Sequence, residues 1–240
     1  MVGLYGAAER VFDGACFVPY AVAEAAYPSF SRAKTEKAAN IDSQLSAAMA
    51  TSVGVAVTVA TICFVMAEPA MRMVYGTEFG PAAAYLSILV WALPLLAVAW
   101  TCSSLLQAVN RQAAAAVVGG VAAAVQAAAC TAVAGQTWGG IGICVSWIVT
   151  AAVMALTSYS AVLKSVPQLS VAHRLLRLAI SGAVLVGLSA VYRQLAFGPS
   201  LVLLLLSTAA YGFANGLVTP NSLRRLGTTW RRSLGGDQAA

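Results

Sequence analysis

Seven stretches of this chain are apolar over about 20 residues or more, and a run of that length has few ways to fold. They fall near 10–31, 44–67, 82–108, 113–134, 140–163, 177–196 and 199–218. About 20 helical residues match the thickness of a bilayer's hydrocarbon layer, where every backbone N–H and C=O must be satisfied within the segment. Only 9% of the residues are charged and 60% are hydrophobic, against about 25% charged in soluble domains. The expected fold is therefore all-α, a polytopic membrane helix bundle of about seven transmembrane helices. The breaks carry turn chemistry: Pro69 and Pro81, the glycines from Gly135 to Gly142, Pro167, and Gly198-Pro199. Pro19 and Pro94 lie inside spans and predict kinks that neighbouring helices can accommodate.

The basic residues orient these spans. With the loop at 32–43, the turn at 109–112, the loop at 164–177 and the tail after 218 placed in the cytoplasm, that side holds Arg32, Lys34, Lys37, Arg111, Lys164, Arg174, Arg177, Arg224, Arg225, Arg231 and Arg232. The other side keeps Arg10, Arg72 and Arg193. Eleven of the 14 basic residues then lie inside, which predicts an external N-terminus and a cytoplasmic C-terminus. The net charge of +6 does not point to nucleic acid, because the charges border apolar spans and no basic face is interleaved with aromatics. Leu223-Arg224-Arg225-Leu226 with Trp230-Arg231-Arg232 reads as a juxtamembrane anchor on anionic lipid. Leu169 to Leu178 reads as an interfacial amphipathic helix. The first residues include Glu9, Arg10 and Asp13 and do not form a secretory leader.

Enzyme chemistry finds little to work with. His173 is the sole histidine, and Cys16, Cys63, Cys102, Cys130 and Cys144 stand singly in apolar runs. No metal site, disulfide framework or nucleophile–histidine dyad is expected. The first span is different. Arg10, Asp13, Phe17, Tyr20, Glu24 and Tyr27 recur three and four residues apart. At about 100° per residue, Asp13 and Glu24 point within about 20° of each other. A charge at the bilayer centre costs roughly 2.5–3.5 kcal/mol, so such a stripe should face protein or a watery cavity. Two plainer readings compete: Arg10 and Asp13 pair as i, i+3 neighbours near the outer end of the span, and Phe17, Tyr20 and Tyr27 simply pack. Glu24 is the deeper carboxylate on this placement. Gln107, Asn110 and Arg111 form a second cluster, either a helix-ending cap or a candidate gate. Gln126, among Gly119, Gly120, Ala123, Ala124, Ala127 and Ala128, suits a close helix contact with a hydrogen bond across it.

Several segments, taken in order, resemble one family. Val2-Gly3-Leu4-Tyr5-Gly6-Ala7-Ala8-Glu9-Arg10, then Pro19, then Tyr27-Pro28-Ser29-Phe30-Ser31-Arg32 resembles the pattern of the second helix in the second lobe of polysaccharide-type flippases. These belong to the multidrug/oligosaccharidyl-lipid/polysaccharide exporter superfamily. Ala67-Glu68-Pro69 with Met73 to Phe79, Tyr85 to Leu89 with Leu93-Pro94-Leu95-Leu96, the run Leu105 to Gln112, and Trp138 to Gly142 resemble later family segments in register.

The resemblance implies a partial C-terminal lobe of about five helices over 1–163, two additional transmembrane helices over 164–218, and a basic cytoplasmic tail over 219–240. It implies alternating access between two lobes, with a lipid-linked oligosaccharide as cargo in a bacterial inner membrane. Arg10 would contact diphosphate, Tyr20 and Tyr27 would serve as sugar platforms, and Asp13 and Glu24 would accept hydrogen bonds or couple to protons or sodium. The N-terminal lobe of the family has no counterpart here, so a truncated chain or a half that works with a separate lobe is expected. Two alternatives are a cation-coupled multidrug exporter of the same superfamily and a non-transporting scaffold that binds polysaccharide assembly proteins.

Overall fold

The computed structural model describes residues 2–36, 39–133 and 139–166. Eight α-helices follow one another: α1 (Val2–Ala25), α2 (Tyr27–Glu36), α3 (Ala39–Val65), α4 (Ala67–Tyr75), α5 (Ala82–Leu89), α6 (Leu93–Ala108), α7 (Gln112–Val133) and α8 (Gly139–Ser165). Among the described residues there is no strand. Four helical segments are long and apolar enough to cross a membrane: Ile41–Val65, Ala82–Ala108, Gln112–Val133 and Gly139–Ser165. The described residues are thus all-helical, with membrane-length apolar helices. The stretches 177–196 and 199–218, the amphipathic segment at 169–178 and the tail at 219–240 lie outside the described residues.

The first expected span is displaced. The stretch expected at 10–31 is instead two helices, α1 ending at Ala25 and α2 starting at Tyr27. Pro28 accounts for the break, since it has no N–H to offer the carbonyl of Glu24 and its ring crowds the preceding turn. The chain turns at Ala26, whose carbonyl accepts from Ser29 N, Phe30 N and the Ser29 hydroxyl, the last at 2.7 Å. With 24 residues α1 is about 36 Å long, enough to span. It is not among the four apolar helices because any crossing stretch within it contains Glu9, Arg10 and Asp13.

Pro94 has a local answer as well. Its missing N–H would have met the carbonyl of Val90; a short 3-10 turn over Val90–Ala92 lets the Leu93 N–H take that carbonyl instead. The helical segment Ala82–Ala108 thereby stays continuous through its proline. Pro19 sits buried inside α1, and the Ser52 hydroxyl donates to its carbonyl at 3.4 Å.

The Ala82–Ala108 segment is central. Its α6 half packs on α1, α2, α3, α7 and α8, and its α5 half on α1, α4 and α8. Small residues make this approach close: Ala8, Ala23, Ala56, Ala60, Ala97, Ala99 and Ala151 have no exposed surface. A second cluster docks α2 through Phe30 and Ala33 onto Leu45, Met49, Leu105, Leu106 and Val162. Buried hydroxyls spend their protons locally, as lipid-facing bundles require. Thr61, Ser87, Thr101 and Ser158 each donate to the carbonyl one turn back, at 2.6–2.8 Å. All five cysteines are free.

Candidate functional site

Helix α1 has two unlike faces. Ala8, Phe12, Pro19 and Ala23 are buried and fall within about 60° around the axis. They meet α3, α5 and α6. Arg10, Asp13, Phe17 and Tyr20 are exposed and cluster on the other side. The described chain leaves Arg10, Asp13 and Phe17 open and touches Tyr20 on one side through Trp100.

Both ends of the polar face are tied down. Toward the N-terminus, Trp147 Nε1 on α8 donates to the Tyr5 hydroxyl at 3.2 Å, and that hydroxyl donates to Glu9 Oε1 at 3.2 Å. Phe12 and Trp147 meet edge to face at 6.1 Å, as do Tyr5 and Tyr85 at 6.4 Å. Toward the C-terminus, the Ser104 hydroxyl on α6 donates to Glu24 Oε1 at 3.0 Å. One turn away, Tyr20 and Trp100 meet edge to face at 5.5 Å. Glu9 escaped the sequence reading: Trp147, which reaches it through Tyr5, lies 142 positions from Tyr5, beyond any local pattern.

The middle is open. Among the described residues neither Arg10 nor Asp13 forms an ion pair or a side-chain hydrogen bond. The i, i+3 pairing of the two is therefore absent, although they are neighbours in sequence. The positions of Asp13 and Glu24 along the helix also differ from those expected for a span at 10–31. Because α1 runs from Val2 to Ala25, Asp13 lies within about 1 Å of its midpoint along the axis and Glu24 about 16 Å from it. The neighbouring helix agrees. Leu95, mid-way along Ala82–Ala108, precedes Trp100 by five residues, as Ala15 precedes Tyr20, so Asp13 is close to mid-bundle.

Tyr27 leaves the stripe. It opens α2 beyond the turn at Ala26, so the α1 rotation does not extend to it, although it too is exposed. Gln107, Asn110 and Arg111 are all exposed. Asn110 has φ 61°; Arg111 N donates to Leu106 O at 2.8 Å and Asn110 N to Gln107 O at 3.1 Å. That is a Schellman ending with asparagine in the left-handed position. On α7, Gln126 bonds across to α8, but Gly119, Gly120, Ala123, Ala124, Ala127 and Ala128 are exposed and take no part in that contact.

The α1 face thus offers a cation, a carboxylate and two aromatic rings on one uncovered surface at mid-bundle. Arginine's planar fork suits phosphate or carboxylate, and the rings suit apolar or sugar faces. Comparison with family models, curated proteins and solved structures gives no match.

Proposed function

We propose that this chain forms one lobe of a membrane transporter, a flippase that moves a lipid-linked oligosaccharide across the bacterial inner membrane by alternating access. The exposed, unpaired state of Arg10 and Asp13 at mid-bundle carries this reading. Left against acyl chains, each would cost roughly 2.5–3.5 kcal/mol. A facing lobe that encloses water and a polar headgroup removes that cost, and polar sites near the midplane between two lobes are the arrangement such transporters use.

In this reading Arg10 contacts the diphosphate, Phe17 and Tyr20 offer ring faces to sugars, and Asp13 accepts hydrogen bonds or couples to a proton or sodium. Glu24 holds Ser104 and serves the lobe's own packing. Tyr27 acts only at the mouth, on α2. The bundle is completed by the apolar stretches at 177–196 and 199–218, giving seven spans with the N-terminus outside. The eleven basic residues of the expected cytoplasmic side support that orientation.

The test joins the chain to a facing lobe in a strain lacking its flippase. Surface polysaccharide returns with the native chain and falls at least tenfold with Arg10→Ala at equal membrane abundance. Full restoration by Arg10→Ala removes the phosphate contact. In a background without native cysteines, Asp13→Cys and Phe17→Cys react with a membrane-impermeant thiol reagent. If both resist it and quench against lipid-borne probes, the cavity reading fails.

A further inference from the structure

The geometry points to a binding groove for an anionic phospholipid between α7 and α8. The groove encloses about 400 Å³, within the range of ligand clefts. Its α7 wall is Ala114, Val117 and Val121, its α8 wall Ser160 and Ala161, and Lys164 stands at its end. The walls are mostly apolar and lie on membrane-length helices. The hydroxyls of Thr157 and Ser160 among them donate to carbonyls of α8 itself, so an acyl chain is the natural complement of these walls. Alanines make the depth: small side chains on both helices leave a furrow where larger ones would meet.

Charge selects the headgroup. Lys164 lies in the last turn of α8 and is exposed, and among the described residues it has no acidic partner. Arg111, also exposed, sits at the same end, two residues before the groove-lining Ala113. Lys164 and Arg111 give this end of the described helix pair two exposed cations, so a phosphodiester with net negative charge is favoured over a zwitterionic one. The lipid's chain lies along Val117 and Val121 while its phosphate meets Lys164. The inference requires membrane insertion of α7 and α8 but not any cargo on α1.

The full chain, purified in detergent, is titrated with phosphatidylglycerol and with phosphatidylcholine of identical acyl chains, and retained lipid is counted by native mass spectrometry. The native protein holds phosphatidylglycerol about fivefold better, the worth of about one basic residue near a headgroup. Lys164→Gln abolishes the preference while leaving phosphatidylcholine retention unchanged. Ala161→Trp, which fills the furrow, lowers retention of both lipids. Equal retention of the two lipids by the native chain, or a preference that survives Lys164→Gln, overturns the inference. A photo-crosslinker at position 160 separates occupants: capture of lipid supports the groove, and capture of the chain's own residues beyond 176 or of a second copy overturns it.

Discussion

Thr150 Oγ1 on α8 donates to Gln126 Oε1 on α7 at 2.6 Å. The same amide gives its Nε2 proton to Ser146 Oγ at 3.3 Å, while Ser146 donates onward to Ile143 O at 2.8 Å. One side chain therefore engages two hydroxyls a turn apart on the neighbouring helix. This matters for α7, the least covered of the four membrane-length helices. Gln126→Leu and Thr150→Val should each weaken the α7–α8 association by about 0.6–1.7 kcal/mol. Reversible unfolding in mixed micelles checks this, and the double variant should cost less than the sum. Strict additivity would mean that the two groups do not cooperate.

Two phenylalanines five residues apart on α1 report its two faces. Phe12 is 1% exposed and Phe17 is 71% exposed. Phe12→Ala removes a ring packed against Trp147 and should cost about 3 kcal/mol. Phe17→Ala should change stability by less than about 0.5 kcal/mol and, on the proposed function, lower transport by the chain joined to a facing lobe. Equal destabilisation by both variants would show that Phe17 is covered within this chain.

The legible parts of the sequence were those with local punctuation. The Ala82–Ala108 segment begins after Pro81 and ends before Asn110-Arg111, and its limits coincide with the expected span. The first span was misplaced because apolar character continues through Ala25 and Ala26 while Pro28 governs the backbone. Because α1 runs over Val2–Ala25, every ionisable residue on it lies at a different position along the helix from that expected. The stripe Arg10, Asp13, Phe17 and Tyr20 survives because alternating spacings of three and four residues keep to one face of any α-helix, wherever it ends. The ties at Glu9 and Glu24 were illegible for another reason: they depend on Trp147 and Ser104, brought near by tertiary packing alone. The exposure of the small-residue stripe on α7 was hidden likewise, since composition cannot say which side a neighbour takes.

Glycines separate close contacts from open surface. A Cβ on Gly140 would lie 2.7–2.8 Å from the ring of Tyr85, whereas one on Gly119 would meet nothing within 4 Å. Gly140→Ala should destabilise by about 1–3 kcal/mol through overpacking, with Tyr85→Leu restoring most of the loss. Gly119→Ala should be neutral or stabilise by up to about 1 kcal/mol, because a helix interior favours alanine. Thermal unfolding in one detergent compares all three. A destabilised Gly119→Ala protein would place an unseen neighbour against that face of α7.

Asn110 decides between a cap and a gate at the α6–α7 turn. Its φ of 61° lies in the left-handed region, which costs most L-residues about 1–2 kcal/mol and costs glycine nothing. Asn110→Gly should therefore keep full stability, and Asn110→Ala should lose about 1 kcal/mol. The backbone bonds from Arg111 to Leu106 and from Asn110 to Gln107 use no side-chain atom of Asn110, so glycine preserves the turn completely. Transport then separates the two roles. On the proposed function, a cap alone predicts undiminished transport by Asn110→Gly in the chain joined to a facing lobe, with Asn110→Ala reduced only as far as its abundance falls. A side-chain gate predicts the reverse order, a stable Asn110→Gly protein that leaks or stalls. Measuring abundance and transport on the same membranes distinguishes these outcomes, and the open side chain of Asn110, with its backbone bonds already complete, favours the cap.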